Sequence, residues 1–190
     1  AALEAALAVA ARQLETRSIR VLRDYEPAGA QVFADTGQME QVFLNLFINA
    51  SHAMENGGTL RIATRYERDD LGEGYVLVEV TDTGVGIRPE DLDRVFEPFF
   101  STKERGRGTG LGLASVYGII KNHGGFVLVE SEKDIGTSFM VYLPASQKVI
   151  EREKQASEKI HTGRETILVI DDEEVILGFK EDQIRARLGR

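Results

Sequence analysis

Two alternating segments joined by a polar turn constrain the fold of this chain most strongly. Residues 59–67 (TLRIATRYE) and 75–82 (YVLVEVTD) alternate apolar and polar side chains, and DDLGEG between them has the composition of a turn. Such alternation is typical of β-strands with one buried face, so the pair predicts a β-hairpin. Three valines of the second segment mark its buried face, and Asp82 follows them on that face. The sequence therefore places a carboxylate at the rim of an apolar surface.

Helices and further strands are predicted on both sides of this hairpin. Asp35 and Gln38 have the capping-box pattern that starts a helix. FVLVES and TSFMVYL predict a final hairpin. The predicted helices cover residues 1–17, 38–54 and 111–122, with a short one near Pro89, and further strands cover 19–27 and 31–35.

Composition limits the classes of function. The net charge of −8 argues against nucleic-acid binding as the main role. The chain has no cysteine, which excludes disulfides and thiolate metal sites. No apolar run is long enough to span a bilayer, and the start is too charged for a signal peptide. We therefore expect a cytoplasmic chain without direct membrane contact. This expectation is compatible with a membrane segment upstream of residue 1.

The helix predicted over residues 38–54 carries a narrow polar stripe. Gln41, Asn45, Asn49 and His52 fall on this stripe at about 100° per residue, with apolar side chains on both flanks. A solvated stripe normally carries Lys and Glu, and helix interiors disfavour asparagine. Either the amides bond to backbone or structural water, or they face a ligand or a metal-bound water. The residue types favour the ligand.

Two glycines, Gly84 and Gly86, follow Asp82 at once. They let the backbone pass close to a flat or bulky group. An aspartate at the end of a strand is often only a turn former. Its carboxylate can alternatively accept a hydrogen bond from an amino group such as that of adenine.

Residues 106–116 (GRGTGLGLASV) join a glycine-rich loop to a predicted helix. They match neither common nucleotide fingerprint, G-x-x-x-x-G-K-[ST] or G-x-G-x-x-G. Free backbone N–H groups at Gly110–Gly112 would still point from the helix N-terminus at an anion. The alternative interpretation is a flexible surface loop.

The preceding stretch, EPFFSTK, is rich in phenylalanine. Phe96, Phe99 and Phe100 are residues of the kind normally found in a core. They border the glycine-rich segment, so the anchor of a lid or hinge is the alternative. Lys103 can neutralise a phosphate, although a surface lysine is the commoner case.

Together and in this order, these stretches resemble the catalytic ATP-binding domain of sensor histidine kinases. That family is shared with DNA gyrase, the ninety-kilodalton heat-shock chaperone and the mismatch-repair ATPases. QVFLNLFINASHAM resembles the N box, DTGVGI the G1 box, VFEPFF the F box, GTGLGLASV the G2 box and IGTSFMVYLP the closing hairpin. The resemblance covers residues 1–145. It implies an α+β fold, a two-layer α/β sandwich (the Bergerat ATP-binding fold) with helices on one face of a mixed, mainly antiparallel sheet.

The resemblance also implies a site for ATP and Mg²⁺. Asn49 would coordinate the metal with Asn45 assisting, and these two are the residues assigned to catalysis. Asp82 would receive the adenine amino group, and Thr137 would lie beside the adenine. The positions that match the family's site are Asn45, Asn49, His52, Asp82, Gly84, Gly86, Ile87, Phe96, Lys103, Gly108, Thr109, Gly110, Leu111, Gly112, Leu113 and Thr137.

Two of these positions bear on the charge at the phosphates and on the reaction. His52 stands where many relatives carry Lys or Arg, and since histidine is mostly neutral near pH 7, Lys103, Arg105 or Arg107 is the alternative source of charge. In the hydrolytic relatives a glutamate that activates water stands four residues before the metal asparagine. Here that residue is Asn45, which cannot act as a general base.

The resemblance therefore favours a protein-histidine kinase of two-component signal transduction. The alternatives are a stand-alone ATPase and a non-catalytic nucleotide-binding regulatory module. His52, His123 and His161 do not fit the pattern of the phosphoacceptor histidine. We expect that histidine in a dimerisation helix before residue 1, which makes those helices a partner of this chain.

The last part of the chain differs in character. Residues 146–164 are polar and charged and predict a linker. Residues 165–190 contain TILVIDDEEV, which resembles the first strand and acidic pair of a response-regulator receiver domain. There Asp171 and Asp172 would help to hold Mg²⁺. The phosphoaccepting aspartate would lie beyond residue 190, so the sequence predicts part of a hybrid kinase whose partner is a receiver domain or response regulator.

Overall fold

The computed structural model describes residues 1–26, 31–101 and 109–146, and within them a mixed sheet of six strands carries the fold. The strands are β1 (Ile19–Tyr25), β2 (Gln31–Val32), β3 (Gly58–Arg68), β4 (Gly74–Asp82), β5 (Phe126–Glu132) and β6 (Gly136–Ser146). The helices are α1 (Ala2–Thr16), α2 (Thr36–Ala53), α3 (Pro89–Leu92) and α4 (Gly112–Asn122).

The strand order is β1-β3-β4-β6-β2, and β5 also pairs with β6. The pair β1·β3 is parallel and all the other pairs are antiparallel. The predicted hairpin is confirmed, with Leu60 opposite Asp82 and Arg68 opposite Gly74. This open, mixed, mainly antiparallel sheet with its helices confirms the α+β fold class that the resemblance implied.

The core lies between the helices and the inward face of β3, β4 and β6. Helix α2 contributes Val42, Leu46 and Phe47, each at most 1% exposed. They belong to one cluster with inward residues of β4 such as Val80. Each large side chain buried in this way contributes about 1.5–3 kcal/mol. This burial fixes which face of α2 turns inward and therefore where its polar stripe lies.

Helix α2 begins at Thr36, two residues before the predicted range 38–54, and the capping pattern at Asp35 is confirmed. The side chain of Asp35 accepts a hydrogen bond from the N–H of Gln38 at 2.7 Å, so Asp35 is the N-cap. Its own backbone N–H donates to Nε2 of His123, at 3.2 Å, which closes α4. The strand predicted over 31–35 is shorter, Gln31–Val32, because the chain must leave the sheet before the cap.

The remaining predicted elements agree with the structure to within a few residues. In the described part of the chain, no helix combines the length and the apolar character needed to cross a bilayer. The linker and the receiver-like segment predicted after residue 146 fall almost entirely outside the described residues.

Candidate functional site

A cavity of about 530 Å³ lies between α2, the loop after β4 and the start of α4. That volume is in the range of small-molecule sites. The predicted positions that line it are Asn45, Asn49, His52, Asp82, Gly86, Ile87, Thr109, Gly110, Gly112, Leu113 and Thr137.

The other predicted positions lie elsewhere. Gly84, Phe96 and Leu111 are described but do not line the cavity. Lys103 and Gly108 lie outside the described residues, as do Arg105 and Arg107.

Sequence reasoning missed most of the apolar wall. The periodicity of the helix and strand could have predicted part of this wall. Ile48 and Ala53 neighbour the asparagine stripe, and Phe139 shares a strand face with Thr137. The described lining residues that had not been assigned to the site are Ile48, Ala50, Ala53, Val85, Val95, Phe100, Ser101 and Phe139.

The asparagine stripe of α2 faces the first turn of α4. Nδ2 of Asn45 donates to the carbonyl oxygen of Gly112 at 3.3 Å. A Cβ added at Gly112 would lie 3.7 Å from Oδ1 of Asn45 and 3.9 Å from Nδ2 of Asn49. Asn45 thus bonds to backbone and lines the cavity at once, so the two interpretations of the stripe are not exclusive.

The N-terminus of α4 is the second wall. The N–H groups of the first turn, from Gly112 to Ala114, have no acceptor within the helix, and the helix dipole favours an anion there. Gly110 precedes this turn with φ of +66°, and a side chain there would collide with the backbone of Phe99. The N–H of Phe99 donates to the carbonyl of Gly110 at 3.0 Å, which fixes the phenylalanine segment to the loop.

Asp82 lies at the end of β4 and is 5% exposed. Its Oδ1 accepts the N–H of Gly84 at 2.8 Å, and the backbone N–H of Thr137 also bonds to the carboxylate. Burial raises the pKa of Asp82 above its ordinary value, while the two N–H groups act in the opposite direction. Asp82 is therefore both a turn former and part of the cavity wall.

The glycines after Asp82 make room for protein atoms. A Cβ on Gly84 would lie 2.6 Å from the Cβ of Ala53 at the end of α2. Gly86 has φ of +65°, and a side chain there would collide with the carbonyl of Glu132. The two glycines thus bring the loop against α2 and β5, which sets the shape of this end of the cavity.

The three phenylalanines have three different environments. Phe96 packs against the core, with its ring centroid 5.6 Å from that of Tyr117. Phe100 lines the cavity, and the guanidinium of Arg94 lies 4.4 Å from its ring centroid. Phe99 is 76% exposed, so the expectation of a core position is wrong for it. Its φ of +67° turns the side chain outward as the backbone bonds to Gly110.

The described lining of the cavity has few ionisable side chains. Apart from His52, Asp82 is the one ionisable side chain among the described lining residues. The part of the chain that the structure describes holds no cluster of three or more His, Asp or Glu suited to a metal ion. Mg²⁺ prefers oxygen ligands, which the asparagine amides offer without charge, so the residues fit a metal that brings anionic ligands with it.

Comparison with known proteins identifies the family that the sequence motifs resemble. Residues 34–147 match the family model described as histidine kinase-, DNA gyrase B-, and HSP90-like ATPase. The chain is 42% identical to the sensor kinase CckA of Brucella abortus, over 76% of this chain and 17% of that protein. It is 39% identical to the sensor histidine kinase ZraS of Klebsiella oxytoca, over 74% of this chain and 29% of that protein. The chain therefore spans less than a third of these relatives.

Solved structures with the same fold include the mycobacterial sensor histidine kinase MprB. It has a TM-score of 0.65 and 28% identity, over 76% of this chain and 92% of that one. Full-length ShkA in complex with AMPPNP also has a TM-score of 0.65 and 28% identity, over 76% of this chain and 29% of that one.

Proposed function

Because the chain belongs to the family of histidine kinase-, DNA gyrase B-, and HSP90-like ATPases, we propose that it binds ATP with Mg²⁺ and donates the γ-phosphate to a histidine. That histidine would lie on a dimerisation helix outside these residues, and the reaction would serve two-component signalling. The observation that carries the proposal is the cavity, which has a buried carboxylate at one end and two asparagines beside a helix N-terminus at the other.

The two ends are separated along α2. Gly84, which bonds to Asp82, abuts Ala53, whereas Asn45 contacts Gly112. Asn45 and Ala53 are eight residues apart, about 12 Å along the helix axis. An extended ligand with a polar base at one end and anionic groups at the other suits this arrangement.

We assign the base of the nucleotide to the end of the cavity near Ala53. The carboxylate of Asp82 would accept from the amino group of adenine, with Thr137 beside it. Apolar residues such as Ile87, Val95 and Phe139 line the cavity and would cover the faces of the ring.

At the end near Asn45, we assign the phosphates and the metal. The amide oxygens of Asn49 and Asn45 would hold Mg²⁺, and the first N–H groups of α4 would bind phosphate oxygens. Bound there, Mg²⁺ would neutralise charge on the phosphates. As the resemblance to the family implies, we also assign His52, Lys103 and Gly108 to the binding of the phosphates.

Transfer is favoured over hydrolysis by the residue types at the phosphate end. Asn45 has no basic group that could activate water. Among the described lining residues the one carboxylate is Asp82, which lies at the other end. A water molecule near the phosphates would therefore meet no carboxylate among the described lining residues that could act as a general base.

The relatives support the partners that this proposal requires. CckA and ZraS are named as sensor kinases. We propose that this chain works in the cytoplasm with dimerisation helices of its own protein and with a receiver domain or response regulator. Residues 165–190 would be the start of such a receiver in a hybrid kinase.

A trans-phosphorylation assay tests the proposal. The 190-residue chain, γ-labelled ATP and Mg²⁺ are mixed with a dimerisation segment from upstream in the same protein. The proposal expects acid-labile label on the segment, lost when its histidine is replaced by alanine.

Three other outcomes would change or contradict the assignment. Rapid phosphate release without any acceptor would favour a stand-alone ATPase. ATP binding by calorimetry without transfer would favour a regulatory module. No measurable ATP binding would contradict all three functions.

A further inference from the structure

The hydroxyl group of Ser131, which does not line the cavity, is hydrogen-bonded to three polar groups beside it. Oγ of Ser131 on β5 lies 2.8 Å from the backbone nitrogen of Ile87 and 2.8 Å from the carbonyl oxygen of Gly136. It also lies 2.9 Å from Oγ1 of Thr137, its partner across the β5·β6 pair. Ile87 and Thr137 line the cavity, whereas Ser131 does not.

The hydrogen-bonding capacity of Ser131 determines the direction of each bond. A serine hydroxyl has one proton to donate and two lone pairs to accept. The N–H of Ile87 donates to one lone pair, and the single proton goes to the carbonyl of Gly136, which can only accept. The remaining lone pair must therefore accept the proton of Thr137. Ser131 is then fully satisfied, and Thr137 has no proton left to donate.

This arrangement gives the cavity wall a defined polarity. Thr137 is 5% exposed, and with its proton committed to Ser131 it offers only lone pairs to a ligand. When it is ionised, the carboxylate of Asp82, opposite Thr137 in the β4·β6 pair, is also an acceptor only. Asp82 and the hydroxyl of Thr137 therefore accept hydrogen bonds from a ligand and do not donate them.

We propose that Ser131 is a positioning residue that turns the hydroxyl proton of Thr137 away from the cavity and so makes the site selective for adenine. The inference rests on the proposed function, because it concerns the base of the nucleotide. An exocyclic amino group has two protons and suits two acceptors, whereas a carbonyl oxygen at the same place would face acceptors and lose its hydrogen bond.

An intervening water molecule preserves this polarity. If a water donates one proton to Asp82 and one to Thr137, its free lone pairs still accept from the ligand. The amino group is therefore preferred whether the contact is direct or mediated by water.

The first experiment measures the affinity of the 190-residue chain for ATP and for inosine triphosphate (ITP), which carries a carbonyl in place of the amino group. In Ser131→Ala, Thr137 regains a proton that can point into the cavity. We expect the preference for ATP over ITP to fall about tenfold, the effect of one hydrogen bond. Ser131→Thr keeps the hydroxyl and should retain the preference.

Ser138→Ala is the matched control. It removes a hydroxyl from the neighbouring strand of the same hairpin, where Ser138 bonds to Thr81 and Glu79 and does not line the cavity. Its preference for ATP should equal that of the wild-type chain. An unchanged preference in Ser131→Ala, or an equal loss in Ser138→Ala, would overturn the proposal.

A double-mutant cycle separates positioning from a general structural effect. If Ser131 acts through Thr137, then Ser131→Ala should not change the preference further in a Thr137→Val background. A full additional loss in that background would show that Ser131 acts by another route and would contradict the proposal.

A second measurement needs no variant and covers the case in which Ser131→Ala does not fold. The wild-type chain should bind ATP most tightly, purine riboside triphosphate less tightly and ITP least. ITP binding as tight as that of purine riboside triphosphate would overturn the proposed polarity while leaving the kinase proposal intact. Failure of the wild-type chain to bind ATP would instead remove both.

Discussion

Nδ2 of Asn45 donates to the carbonyl oxygen of Gly112 across 3.3 Å, so a side chain of α2 bonds directly to the first residue of α4. The bond has two consequences for the cavity. It holds the asparagine stripe against the helix N-terminus, and it commits one of the two amide N–H groups to the protein. The amide oxygen is then the atom of Asn45 that remains as an acceptor.

Asn45→Asp should destabilise the chain in the absence of nucleotide. The change replaces the donor with a carboxylate oxygen that faces the carbonyl of Gly112, so both atoms accept and neither donates. We expect the free energy of unfolding in urea to fall by about 1–3 kcal/mol. The control is Gln41→Glu, the same amide-to-carboxylate change one turn earlier on the stripe, at an exposed position that does not line the cavity. Equal stability of the two variants would contradict the importance of the bond.

Asn49→Ala should uncouple ATP binding from Mg²⁺. In the proposed site neutral amide oxygens and the phosphates would hold the metal, so loss of the Asn49 oxygen would remove a ligand that no carboxylate among the described lining residues at that end replaces. We expect ATP to bind at least about tenfold more weakly in the presence of Mg²⁺, with little change in EDTA. Calorimetry with and without the metal measures both values.

The control for this variant is Gln41→Ala, which removes an amide from the same stripe outside the cavity. It should bind ATP as the wild-type chain does. Normal phosphotransfer by Asn49→Ala would refute the assignment of the metal.

Asp82 should make the stability of the chain without nucleotide depend on pH. Burial raises the pKa of Asp82 in the folded state above its ordinary value of 3.8, so around that pH the folded chain binds more protons than the unfolded chain. Stability linked to this group is then present at low pH and is lost as the pH rises through the folded pKa. Asp82→Asn does not titrate and should gain stability relative to the wild-type chain over the same range.

Urea unfolding from about pH 4 to pH 8 gives the difference between the two chains at each pH. A difference that shrinks as the pH rises would show that the pKa of Asp82 is lowered in the folded state.

Asp82→Asn should at the same time weaken the preference for ATP over GTP, because the asparagine amide also donates. An unchanged preference would count against the base assignment.

The parts of the site that could be predicted from sequence lie within single elements. Asn45 and Asn49 are one turn apart on a helix, and Asp82 shares a strand face with the valines before it, so periodicity alone groups them. Helix α2 and strand β4 were therefore recognised with their correct faces. The assignment to ATP needed more than periodicity, namely the order of four motifs along the chain.

The parts that could not be predicted depend on pairing between elements. Ser131 meets Thr137 only because β5 and β6 pair in one register, and it meets Ile87 only because Gly86 brings the loop against β5. No local pattern marks these contacts. Phe99 likewise has the composition of a core residue, and its exposure follows from the backbone bond to Gly110.

Ser51→Ala should leave the chain as stable as the wild type or make it more stable. Ser51 lies in α2 and is fully buried, and its Oγ has no hydrogen-bond partner in the structure. Removing a buried polar group without a partner relieves a desolvation cost of about 1 kcal/mol. Ser138→Ala, which removes a hydroxyl with bonding partners, should instead lose stability. Both are measured by urea unfolding, and a clear loss in Ser51→Ala would mean that its hydroxyl is satisfied in solution.

Two glycine substitutions should have opposite effects on stability. Gly118 lies within α4, and a Cβ added there meets no atom within 4 Å. Because alanine is the better helix former, Gly118→Ala should raise the free energy of unfolding by about 0.8–1 kcal/mol. In Gly86→Ala the new Cβ would collide with the carbonyl of Glu132 at a φ of +65°, so the loop must move away from β5. That variant should lose stability and, because Ile87 would separate from Ser131, ATP affinity as well. Equal thermal midpoints for the two variants would show that the loop tolerates a side chain at residue 86 and that its contact with β5 does not shape the cavity.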